Sequence, residues 1–391
     1  MSVPTEESLL SQARRLAEMA AERAQKIEEQ RRLPHDLIEA LTASGLLKIL
    51  QPSRYGGYEM DMGVFIRVTA EIARGDASTG WIFAILGIHN WWLGYVDPRL
   101  QEEVWGEDTH RFFADSFAPV GKVQPASGGY RLSGRWKFLS GIEWSEYAAV
   151  AAFLPPERSE EPEYAMFFLP QSQYRVEDEW HVVGLRGTAS NTIVVDDAFV
   201  PEYRVFHLGR ILQTGEAPGQ ALNPGPLYRL PFFTAISLAL VAPVVGAARA
   251  AAIHFQQWIQ TRVPLFRETA QKELGSAQMA LAEAATTLDA LEGLMQRYAD
   301  EVMVYGREHR LPSEEERARY YAWRSYMVRQ AIRLVDRLFE LSGGHSIFQS
   351  HPIQRIWRDV HTAAQHVTLN FESSMEAYGR ALVGLRSGTI L

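Results

Sequence analysis

Gly184 to Pro201 reads GLRGTASNTIVVDDAFVP, and RWKFLSG runs from Arg135 to Gly141. Each is a strand-like run that delivers small hydroxyl residues to one end, and the first is rich in β-branched residues. Hydroxyls placed this way suit the polar edge of a flat heterocycle, which points toward a flavin. Runs of similar character surround the two: RFFADSF, YRLSG, YAAVAAFL and YAMFFLP, separated by Gly, Pro and Ser. Together they predict a central β domain over residues 111–222. Within it, Pro156 to Glu163, PERSEEPE, reads as a solvated hairpin tip.

Helical periodicity flanks this domain on both sides. From Glu6 to Arg31, Leu9, Ala13, Leu16, Ala20, Ala24 and Ile27 recur at helical spacing, and Pro34 stops the pattern. Leu37 to Leu47 repeats it, and Asp61 and Asp76 read as N-caps of two further helices separated by Gly75. This gives an N-terminal helical domain over residues 1–110. After the Pro- and Gly-rich stretch from Ala217 to Pro231, the periodicity returns and continues to Gly379. That predicts a C-terminal helical bundle over residues 223–391.

Composition narrows the function. At 391 residues and 47% hydrophobic, the chain can bury a core larger than one ordinary domain holds. A formal charge of −8, with no run of five or more Lys and Arg, argues against a nucleic-acid partner. The absence of cysteine rules out a thiolate nucleophile, a cysteine-ligated cluster and a disulfide, so redox chemistry needs an organic cofactor. It also suits a cytoplasmic location, and the N-terminus carries acids where an export signal would be basic. Phe232 to Ile253 has the length of a membrane span, but Pro243, Gly246 and Arg249 interrupt it, so a buried helix and no membrane partner are expected. No GxGxxG or GxxxxGK[ST] follows a strand, and there is no HExxH; neither a nicotinamide site nor a metal site is expected.

The order helices, β domain, bundle, with GLRGTASNT, GRWKFLS and a late GG…HPIQRIWRD, resembles the acyl-CoA dehydrogenase superfamily over essentially the whole chain. Within it, IHNWW, QEEVWGED, GLRGTASNT and PIQRIWRDVH are most similar to the oxygenase components of two-component flavin monooxygenases. That group includes the secosteroid phenol hydroxylases and para-hydroxyphenylacetate hydroxylase. The resemblance implies an α+β fold: an N-terminal helical domain, a central β-barrel or sandwich, and a C-terminal four-helix bundle assembling as a homotetramer, a dimer of dimers. It further implies reduced flavin (FMNH2 or FADH2) and O2 as cofactor and cosubstrate, reacting through a C4a-hydroperoxyflavin. The expected partners are an aromatic small-molecule substrate and a separate NAD(P)H-dependent flavin reductase.

The resemblance also assigns residues. Ser140 takes the slot whose hydroxyl meets the flavin N5 and O4 edge, with Gly141 beside it. Arg186, Gly187, Thr188 and Ser190 form the second flavin loop, Gly187 allowing close backbone approach, and Ala189 stands where the related motif has glycine. His89, on an apolar and aromatic helix, and Ser116 in FADSFAP occupy the places that meet the substrate phenol oxygen. His366 takes a position near the flavin C4a, with Asp359, seven residues earlier, as an orienting partner on the same helix face or a salt-bridge partner of Arg355. Arg262, Gly343 and Gly344 resemble the groups that contact the flavin tail of a neighbouring subunit.

Three rival readings remain open: an acyl-CoA dehydrogenase, a relative that oxidises indole, sulfur or nitrogen, and a non-enzymatic helical assembly protein. A dehydrogenase needs a carboxylate base after the RD of the last large helix, and Val367 stands there instead. Trp144 and the segment VTLNFES depart from the related hydroxylases on the substrate side.

Overall fold

The structure is a computed structural model that describes residues 3–155 and 162–389. Residues 156–161, most of the expected hairpin tip, lie outside the described residues. The N-terminal part contains α1 (Glu6–Gln30), α2 (His35–Ala43), α3 (Met62–Ala73), α4 (Ala77–Leu93) and α5 (Pro98–Trp105). The periodic apolar residues of α1 are all buried, and Arg31 ends the helix in a left-handed conformation. Asp76 caps α4, its Oδ1 accepting from the backbone N–H and the hydroxyl of Thr79, both at 2.8 Å. Asp61 sits at the N-cap of α3 without a side-chain hydrogen bond.

The strands follow as β1 (Phe113–Ala126), β2 (Gly129–Leu139), β3 (Tyr147–Leu154), β4 (Glu163–Pro170), β5 (Arg175–Glu177), β6 (Asn191–Pro201) and β7 (Val205–Phe206). Their order in the sheet is β5-β6-β2-β1-β3-β4-β7. β1 joins two half-sheets: residues 113–116 pair parallel with β3, and from Lys122 the strand pairs antiparallel with β2. The irregularity between Ser116 and Gly121 lets the halves close over Trp136, whose indole N–H donates to the Ala151 carbonyl at 2.9 Å. Among the described residues β5 and β7 are the two edges of the sheet, so over these residues the domain is an open sandwich.

The chain then forms α6 (Leu208–Thr214), α7 (Phe232–Leu238), α8 (Val241–Thr261), α9 (Gly275–Glu308), α10 (Glu314–Ser342), α11 (Pro352–Ala363) and α12 (Phe371–Leu382). Phe232–Thr261 is long and apolar enough to cross a membrane, yet 89% of its most apolar window is buried inside the protein. α8 packs against α3, α4, α9, α10 and α11, which makes it the central pillar of the molecule. One hydrophobic core joins both helical parts, running through Leu16, Phe65, Val245 and Leu334 and taking in Phe113 and Phe168 from the sheet. The sandwich keeps a smaller core of its own around Trp136. α4 contacts α8 on one side and β1 and the 185–190 loop on others, so its side chains look into the seam where all three parts meet.

Candidate active site

Ser140 follows a break in the β2 ladder between Trp136 and Leu139, with Phe138 at φ 70° turning the chain. Gly141, at φ 77°, then donates its N–H to the Thr188 carbonyl at 3.1 Å and ties this strand end to the 185–190 loop. The hydroxyls meet in a line. The Trp81 indole N–H donates to Ser140 Oγ at 3.2 Å, Ser140 Oγ lies 2.8 Å from Ser190 Oγ, and Ser190 Oγ lies 2.7 Å from Thr188 Oγ1. Thr188 donates to the Leu185 carbonyl at 2.8 Å. A carbonyl only accepts, so the donor order is forced back along the line: Thr188 gives to Leu185, Ser190 to Thr188, and Ser140 to Ser190. The proton of Ser140 is thereby spent inside the protein, and its oxygen is left as an acceptor for whatever docks beside it.

The loop owes its shape to its neighbours as much as to any ligand. A Cβ on Gly187 would sit 2.1 Å from Ile27 of α1 and 2.9 Å from Ser78 of α4, so this glycine is required by helix packing. Helix packing is thus a reason for glycine here beside the expected close approach to a cofactor. Ala189 holds φ 43°, ψ 46°, a left-handed conformation that explains why glycine suits this position. Arg186 turns toward α1, 3.8 Å from Glu28, rather than into the hydroxyl line.

His89 is 1% exposed on α4. Its Nδ1 lies 2.6 Å from the Phe113 carbonyl and its Nε2 lies 2.9 Å from Asp115 Oδ1. Ser116, expected as its companion, instead donates to the Lys137 carbonyl at 3.0 Å. Successive side chains on a strand point to opposite faces, so Phe113, Asp115 and Phe117 face the helices while Ala114 and Ser116 face the other way. The sequence reading missed Asp115. Its signal was a lone carboxylate between two phenylalanines on the helix-facing positions of FADSF.

His366 lies beyond the end of α11 at Ala363 and caps the short turn that follows, so it does not share a helix face with Asp359. The expected Asp359–His366 pair is replaced by two separate contacts. Asp359 accepts the Leu185 N–H at 2.6 Å, and His366 Nδ1 accepts the Thr368 N–H at 3.3 Å and lies 2.9 Å from its hydroxyl. No ion pair joins Asp359 to Arg355 among the described residues. Burial pushes the Asp359 carboxyl up to about 8, with buried Asp76 adding to the effect. Burial likewise pushes His366 down to about 4, against the opposing field of Asp115. The neutral ring, accepting at Nδ1, carries its proton on Nε2. Its ring meets Trp81 edge-on at 5.9 Å, which joins it to Ser140.

Trp81 and His89 are eight residues apart on α4, about 12 Å along its axis. Ser140, Trp81 and His366 form one linked group and Asp115 and His89 another, and both lie along α4, which meets β1 and the 185–190 loop. Arg262, Gly343 and Gly344 join neither. Arg262 donates to the Gln271 side chain and the Leu341 carbonyl, and a Cβ on Gly343 would sit 2.4 Å from its guanidinium. Next to them opens a cleft of about 490 Å3 lined by His254, Trp258, His345 and His351. Ala247 of α8 borders the same small void as Trp81, and Arg262 lies fifteen residues further on, about 22 Å along the helix. Among the described residues, no group of three or more His, Asp or Glu is placed to hold a metal ion.

The fold and this seam define the class. Residues 4–96 match the acyl-CoA dehydrogenase N-terminal domain and residues 238–371 the C-terminal domain. The chain is 36% identical to the flavin-dependent monooxygenase, oxygenase subunit HsaA, of Rhodococcus jostii, over 93% of this chain and 95% of that protein. It is 32% identical to the FADH(2)-dependent resorcinol hydroxylase, oxygenase component, of a Rhizobium species, over 95% and 92% of the two chains. The crystal structure of the HsaA monooxygenase from M. tuberculosis superposes with a TM-score of 0.92 at 33% identity, covering 99% of this chain and all of the other. The chain belongs to the oxygenase components of the two-component flavin-dependent monooxygenases, within the acyl-CoA dehydrogenase superfamily. It is an enzyme that works with reduced flavin and O2, and a separate reductase supplies the flavin.

Proposed function

We propose that the substrate is a phenol or a similarly electron-rich aromatic, hydroxylated next to its oxygen in the seam between α4, β1 and the 185–190 loop. The observation that carries this reading is the forced direction of the hydroxyl line. Ser140 is left as an acceptor, and a reduced flavin presents an N–H at N5, so the residues present fit the reduced cofactor. When bound, the reduced flavin supplies the activated oxygen. The chain's own residues do the rest: Ser140 holds the N5 proton, and losing such a hydrogen bond costs about 1–3 kcal/mol. His366, neutral at working pH, offers Nε2–H as a donor without placing a charge beside the cofactor. Phe113, Phe117, Trp92 and Trp81 exclude water from the reacting side.

Arg262, Gly343 and Gly344 receive the phosphate-bearing tail of the flavin held by another copy of the chain. The 22 Å offset along α8 supports this, and with it a homotetramer. The lack of cysteine and the dependence on a reductase support a cytoplasmic enzyme with no membrane partner. Feeding reduced flavin from an NADH-dependent reductase, under isotopically labelled dioxygen, to a panel of simple phenols tests the substrate class. A catechol carrying one labelled oxygen is the expected product; hydrogen peroxide with every phenol untouched would overturn the reading.

A further inference from the structure

His89 has no ring nitrogen to spare for a substrate. The Phe113 carbonyl only accepts, so Nδ1 carries a proton there, and Nε2 is committed to Asp115 Oδ1 at 2.9 Å. Phe113 stacks on the ring at 4.4 Å and Trp92 closes its edge at 5.7 Å. Asp115 is differently placed. Its side chain is 13% exposed, against 1% for His89, and among the described residues nothing donates to its second oxygen, Oδ2. Its field reaches His366, after α11, and Tyr164, on β4. Oδ2 is therefore the one oxygen of the His89–Asp115 pair left without a partner among the described residues.

We propose that Asp115 is a catalytic residue, the general base that meets the phenol hydroxyl through Oδ2, and that His89 is a positioning residue that aims it. The inference rests on the phenol reading and names the group that touches the substrate oxygen. As the ring gives an electron pair from its ortho carbon to one oxygen of the activated dioxygen that reduced flavin and O2 supply, the O–O bond breaks with its electrons on the other oxygen, and the phenol O–H becomes acidic. That bond breaks with its electrons left on oxygen, and a new O–H bond forms on Asp115 Oδ2. When the ring later becomes aromatic again, its ortho C–H proton passes through water to the departing oxygen, which leaves as water, and Asp115 returns its own proton to the phenol oxygen and is a carboxylate once more. His89 holds Oδ1 throughout, which keeps Oδ2 turned outward.

The test compares native protein, Asp115→Asn and His89→Gln for product formed per oxygen consumed, across neutral to alkaline pH. General-base loss predicts a fall of about a hundredfold for D115N and a milder fall for H89Q. A second signature is the pH profile. Native turnover should stay flat, whereas D115N should climb roughly tenfold per pH unit as the phenol, with a pKa of about 10, ionises by itself. His89, His366 and Tyr164 are the other titratable groups facing Asp115, and all three are unchanged in D115N. Should D115N not fold, Asp115→Glu keeps a displaced carboxylate; it should lose about tenfold and keep the flat profile, and a steep one would overturn the proposal. Native turnover with D115N within threefold of it overturns the inference alone. Absence of product from the native protein overturns the phenol reading and the inference together.

Discussion

Thr188 anchors the hydroxyl line, because its bond to the Leu185 carbonyl is what fixes every donor upstream. Thr188→Val keeps the shape and removes the anchor. Ser190 then has no acceptor at that end, and Ser140 is no longer held as an acceptor. Anaerobic titration should show reduced flavin bound more weakly by about 1–3 kcal/mol, with oxidised flavin affected less. Asp359 makes a prediction in pH. Its folded value is raised to about 8, above the ordinary aspartate value near 4, so the unfolded chain ionises first as pH rises. The stability this group contributes is full below pH ~4 and is lost toward pH ~8, with a slope of up to about 1.4 kcal/mol per unit. Asp359→Asn keeps an acceptor for the Leu185 N–H and should flatten that part of a denaturation-against-pH profile; an unchanged slope would remove the role assigned to this carboxyl.

The 185–190 loop is the element on which the site turns. It is fixed by Asp359 from α11, Ser78 from α4 and Ile27 from α1, so three helices set the position of two hydroxyls. Ala189→Gly should stabilise the protein by up to about 1 kcal/mol in chemical denaturation, since glycine removes left-handed strain at φ 43°. Gly187→Ala should act oppositely. A methyl 2.1 Å from Ile27 pushes the loop off α1, at about 1–3 kcal/mol of stability, and takes Ser190 out of line with Ser140. The motif GLRGTASNT was legible at this scale, but its reasons were not. Periodicity exposed the helices, yet the end of α11 at Ala363 could not be read from HTAAQHVTLN, which has no Gly or Pro to mark it.

At the scale of the whole molecule, Leu265 and Phe266 are 81% and 95% exposed in the loop that follows α8 and Arg262, and Phe348, which lines the cleft beside Arg262, is 61% exposed. Large apolar side chains left this exposed suit a surface covered by another copy of the chain. The proposed tetramer makes a prediction here: Phe266→Glu should shift sedimentation toward smaller species than the native chain forms, and weaken flavin binding along with it. A native chain that sediments as a monomer would sink the tetramer and the shared cofactor site together.

The sequence by itself determined the element types, the α–β–α order and the hydroxyl-bearing strand ends, because periodicity, turn residues and local motifs are short-range properties of the chain. It also held Asp115 in plain view, in a strand register that placed it with two phenylalanines. Only the tertiary structure decided that Asp115 meets His89, that Asp359 serves Leu185 and not His366, and that Arg262 lies far from Ser140. Each of these joins residues far apart in the chain or depends on where a helix ends. Such pairings are set by how α4, β1, α8 and α11 pack around one shared core, which no local pattern encodes.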